Sequence, residues 1–161
     1  MINFDPDTNA ERAANGDHVT GLYTEWAIEA GSTLTVSSRA ALGLALAEVH
    51  SGGPVDPNEI TAAAADVLAD LFHSTDGRVS PHGLLTAACD ELASPVNMAG
   101  PLLALGQDGR TSRTACAAAA VLAYVYACGL ALGPVLTLAR NRWAEEVEAE
   151  RFAHIQATRH S

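Results

Sequence analysis

Three places in this sequence combine residue types able to do chemistry. In GQDGRTSR, Gly106 to Arg113, two glycines and two arginines stand just ahead of a long apolar run. Free N–H groups at a helix start attract anions, and arginines beside them strengthen the attraction. Gly109, Arg110, Ser112 and Arg113 are therefore the expected contacts for an anionic small molecule, although the spacing matches neither a Walker loop nor a dinucleotide fingerprint. FHSTDGRVSPHG gathers His73, Asp76 and His82 around one turn, a set able to hold a metal or move protons. Asp-Gly is also an everyday turn former and Ser80-Pro81 an everyday helix start, which leaves both histidines as solvated helix-end residues and assigns no metal. RNRWAEEVEAERFAHIQATRH is strongly helical. It places Glu150 and His154 four apart, a spacing that serves a solvated pair as well as a metal. Its thin apolar line of Trp143, Val147, Phe152 and Ile155 is the expected partner-binding surface.

Other chemistries drop out. DPDTN begins like a calcium loop, but Ala10 and Gly16 stand where the turn glycine and the bidentate glutamate belong. All nine basic residues are arginine, so no lysine can form a Schiff base or cradle a phosphate. No GxSxG, HExxH, paired ExxH or zinc-type cysteine–histidine set is present, and no cofactor is expected. Cys89, Cys116 and Cys128 are an odd set in apolar helical contexts and read as small hydrophobes in a reducing cytoplasm.

The net charge is −10, concentrated before residue 100. An acidic body repels phosphates, so nucleic acid is not an expected partner, and the acidic Asp66, Asp70, Asp90 and Glu91, read as exposed, spoil any helix-turn-helix in the middle of the chain. Residues 114–139 carry no charge, yet nine of these 26 are alanine and Gly133-Pro134 cuts the run. Such a segment suits a helix surrounded by neighbours better than a membrane span.

The elements that must position these residues are all helices. Apolar stripes at i, i+3, i+4 and i+7 recur along the chain, and no strand-period alternation persists. They predict helices near 17–30, 37–50, 57–73, 81–93, 111–132 and 134–158, with Ser37 capping the second and Asp56-Pro57 opening the third. Residues 1–16 read as a flexible acidic arm and 17–161 as one domain. The fold class is all-α: a single-domain bundle of about six helices around an alanine-rich central helix, with a long C-terminal helix projecting beyond it. With catalytic patterns absent, the expectation is a small non-enzymatic regulatory or adaptor protein. It would act through a protein partner or self-association as a homodimer, using its acidic surface and C-terminal helix. The alternative is a bundle that binds or processes an anionic small molecule at the Gly106–Arg113 loop.

Overall fold

The computed structural model describes residues 1–30, 35–93 and 109–161, and for residues 36 and 109–112 the backbone alone. Among the described residues six helices follow one another: α1 (Asn9–Ala30), α2 (Val36–Ser51), α3 (Ile60–Ser74), α4 (Pro81–Ala93), α5 (Gly109–Ala127) and α6 (Leu132–Arg159). No strand occurs among the described residues. The chain is an all-α bundle with a long C-terminal helix.

α5 is the alanine-rich helix at the centre. Every residue from Thr114 to Val125 is buried, and all five of the other described helices touch it. Alanine favours the helix and leaves no bulk to hold neighbours off. Gly43 of α2 uses that space: a Cβ there would overlap the Ala120 carbonyl, so α2 and α5 meet backbone to backbone. Gly16 of α1 meets the Asp70 carbonyl of α3 in the same way. α3 shares the centre, packing against α1, α2, α5 and α6. The largest fully buried side chains, Tyr23, Phe72, Leu46, Leu68, Leu71, Leu84 and Leu122, fill the space between these helices.

Several boundaries differ from the sequence reading. α1 starts at Asn9, not Asp17, because Thr8 and Glu11 form a capping box. The Glu11 carboxylate accepts from the N–H groups of Asp7 and Thr8 at 2.8 and 2.9 Å, and Thr8 Oγ1 accepts from Glu11 N at 3.2 Å. Those backbone bonds hold the Glu11 carboxyl below its ordinary value. Residues 1–8 are not a loose arm, since Ile2 is only 6% exposed within the core. Asn3 and Asn15 exchange two bonds of 2.8 Å that tie this strap to α1.

α2 is capped by Thr35, whose Oγ1 accepts from Ser38 N, rather than by Ser37. Gly52, at φ 82°, ends it. Asp56 does not cap α3: its carboxylate closes an Asx turn on Asn58 N at 2.8 Å, and the helix begins at Ile60. The uncharged run breaks at Gly129, φ 76°, not at Gly133-Pro134. Pro134 sits in the first turn of α6, where its missing N–H would have had no partner. No described helix is long and apolar enough to cross a membrane.

Only Cys116 is buried; Cys89 and Cys128 are exposed thiols, and Cys128 lies in the turn after α5. Burial pushes the Cys116 thiol from an ordinary 9.0 up to about 12, with Glu91 adding to the rise. Native protein should therefore be alkylated by iodoacetamide at two positions, the two exposed thiols, and denatured protein at three; three in the native state would contradict this packing. A raised acid in the folded state contributes stability that is whole below the unfolded value and is lost as pH climbs through the folded one. For Cys116 that window runs from 9.0 to about 12.

The helix spacing predicts a second result in urea unfolding. Gly43→Ala should cost about 1–3 kcal/mol or more through overpacking. Gly21→Ala, which meets nothing within 4 Å, should add roughly 0.5–1 kcal/mol through helix propensity.

Candidate functional site

On α3, the titratable residues Asp66, Asp70 and His73 recur at i, i+4 and i+7. They share one stripe, turned towards α1, α2 and α6. Asp70 is buried to 6% exposure, and a carboxylate so placed requires partners. His50 at the end of α2 comes within 2.7 Å of Asp70 Oδ2 through Nε2, and Asn15 of α1 donates to the same oxygen at 3.3 Å. A carboxylate can only accept, so His50 Nε2 carries the hydrogen. One turn on, His73 is 5% exposed, with Nε2 2.6 Å from Glu146 Oε2 of α6. The other Glu146 oxygen faces Arg12 Nε of α1 at 3.4 Å. Arg142 of α6 closes the row, pairing with Asp66 and donating to the Ala62 carbonyl at 3.0 Å.

The strap at residues 3–6 lies over this network, and between them opens a cavity of about 470 Å³ reaching Arg12, Asn15, His50, Asp66, Asp70 and Glu146. An imidazole oriented by a carboxylate is the arrangement used for general acid–base work. Here, however, each charged group of the row already has a protein partner on another helix or in its own backbone neighbourhood. The work the geometry performs is cross-linking: α1, α2, α3 and α6 are held in register by two imidazole–carboxylate pairs and two guanidinium–carboxylate pairs.

The second feature is the distal part of α6. Trp143 packs against the core and Val147 is half-buried; the Trp143 ring lies 6.5 Å from that of His73, and its Nε1 is buried without a hydrogen-bond partner. Glu150 is the last anchor, its Oε1 accepting from Asn9 N at 2.9 Å and so capping the start of α1. Beyond it Phe152 is 61% and Ile155 40% exposed. The expected partner quartet therefore splits: Trp143 belongs to the body, Val147 is half-buried, and Phe152 and Ile155 stay in solvent.

The other sequence candidates fare unevenly. His73, read as solvated, is buried, whereas Asp76 is exposed on the turn and His82 exposed at the start of α4, so the three are not brought together. Asp70, also read as exposed, is the most deeply placed acid of the network. Gly106, Gln107 and Asp108 lie outside the described residues, as do the side chains of Arg110 and Ser112; Gly109 to Ser112 form the first turn of α5. Arg113 is exposed beside a shallow pocket that also holds Asp17 and Glu25, an acidic setting for an anion. Glu150 is taken by the start of α1 while His154 is exposed, and no metal-binding cluster occurs among the described residues. Sequence reading passed over Arg12, Asn15, His50 and Glu146. The available signal was the stripe on α3: a helix with only two acids and a histidine has little solvated face, so the groups that turn inward, Asp70 and His73, must be met by neighbours.

No family model, curated protein or solved structure matches this chain.

If Glu146 is the hub of this network, Glu146→Ala leaves the buried His73 without its carboxylate and Arg12 with only its bonds to Asn9 and Pro6. Urea unfolding should show a loss of about 1–3 kcal/mol, against a change within about 0.5 kcal/mol for Glu25→Ala on the exposed side of α1. Equal effects at the two sites would contradict the assignment.

Proposed function

We propose that this is a small non-enzymatic adaptor acting through protein contacts made by the outer face of distal α6. The observation carrying this reading is the exposure of Phe152 and Ile155 on a helix whose opposite face is locked to the body by Trp143, Glu146 and Glu150. Two large apolar side chains held outward on a rigid support are a ready anchor for a partner. The charged network, by contrast, is occupied within the chain. The partner surface this face fits is apolar at its middle and charged at both ends, because Glu145 and Glu148 precede the apolar pair and Arg159 follows it. Unpaired thiols at all three cysteines fit a reducing compartment, the cytoplasm.

A test of this idea must leave Trp143, Glu146 and Glu150 in place, because they belong to the body. The informative variant is Phe152→Asp with Ile155→Asp, alongside a chain ending at Glu150. Immobilised full-length protein should retain one stoichiometric partner from its native cell extract, identified by mass spectrometry. Both variants should lose it while keeping the wild-type melting temperature, and the double variant should also keep the wild-type helical content, whereas the shortened chain gives up only the turns beyond Glu150. A partner retained equally by the double variant would overturn the proposal.

A further inference from the structure

The outer face of α6 has an order along it that one surface complements without any outside partner. Glu145, Ala149, Phe152, Gln156 and Arg159 are spaced four, three, four and three apart, and Glu148 and Ile155 flank them. At roughly 100° per residue all seven fall within about 60° of Phe152. Trp143 and Glu150 lie on the opposite side, against the body. Except for the half-buried Gln156, all seven are exposed. From N- to C-terminus the stripe runs acidic, apolar, basic.

We infer that α6 pairs antiparallel with α6 of a second copy of this chain about a two-fold axis at Phe152. This rests on the reading of α6 as the contact surface and names its occupant. With Phe152 of each copy on the axis, Glu145 meets Arg159, Ala149 meets Ile155 and Glu148 meets Gln156, each pairing occurring twice. A parallel pair would set Glu145 on Glu145 and Arg159 on Arg159, so charge selects the antiparallel arrangement. Sliding the register by one heptad puts Phe152 on Glu145 or on Arg159, so apolar matching selects this register. The same patch faces itself, as a closed two-fold dimer requires. The body holds α6 at Trp143, Glu146 and Glu150, and Asp7 and Thr8 border Glu145 and Ala149 along one edge of the stripe, while Glu145, Phe152, Ile155 and Arg159 remain exposed for a second copy to meet. The paired segment is ~21 Å long at 1.5 Å per residue, an interface of the small and weak class, so the dimer forms as concentration rises.

Sedimentation equilibrium of the full chain at low salt, across micromolar to millimolar concentrations, tests this directly. The wild type should pass from monomer to dimer, and Phe152→Asp should stay monomeric. Glu145→Arg and Arg159→Glu should each weaken association about tenfold, because each places like charges together twice. The double variant Glu145→Arg/Arg159→Glu should recover it. Within one chain these residues are fourteen positions apart on a continuous helix, so recovery can arise only between copies. A wild type that stays monomeric throughout, a dimer indifferent to Phe152→Asp, or a double variant no better than its parents each overturns the inference. If the chain is monomeric while a different protein is still captured through Phe152, the dimer falls and the adaptor reading stands.

Discussion

A carboxylate buried in the middle of a helical bundle costs several kcal/mol unless it is met by donors. Asp70 is in that position, and much of the molecule is arranged to meet it. His50 must end α2 at the right height, and Asn15 must come in from α1. Asn15 then also grips the main chain of Asn3, so the strap at the N-terminus is placed by the same residue. Three separate stretches are positioned by one acid. His73, one turn later on α3, repeats the device towards α6 through Glu146. Exchanging these groups for apolar ones of equal shape need not weaken the fold, but removing one member of a pair does.

That polar row works because the apolar side of the bundle sets the distances. Ala117 to Ala120 let α2 approach α5 until Gly43 touches carbonyl, and Gly16 lets α1 approach α3 at the level of Asp70. With bulkier residues at those two glycines the helix axes would separate, and Asn15 and His50 would no longer reach one oxygen. Close packing and the hydrogen-bond network are thus one constraint seen from two sides.

The fold class was legible because helical periodicity is local: each stripe can be read within fifteen residues or so. Boundaries were less legible where two local solutions compete. Asp56-Pro57 has the chemistry of a helix cap, but the same carboxylate can close a turn on Asn58, and it does. The opposite happened at Thr8-Glu11, where a capping box stood in plain view inside a stretch whose Pro, Asp and Asn content suggested a loose arm. The network around Asp70 was not legible, because Asn15 lies 55 positions from it and Glu146 lies 73 from His73. Separations of that size carry no periodic signature. On α6 the apolar residues were found but not their division, since only contacts with other helices decide which face of an amphipathic helix turns inward.

The length of α6 beyond Glu150 has a thermodynamic meaning of its own. Nine residues, Arg151 to Arg159, continue the helix past its last anchor. A peptide of that size has too few turns to repay the entropy of nucleation and would be a coil in water. Here nucleation is already complete, because the turns at Trp143, Glu146 and Glu150 are fixed by the body and each further residue only propagates them. The helical state of the tip is therefore lent by the N-terminus of the chain: Asn9 and Arg12 hold the turns from which it grows. Fraying runs inward from Arg159, and its extent is governed by groups about 140 positions away in the sequence.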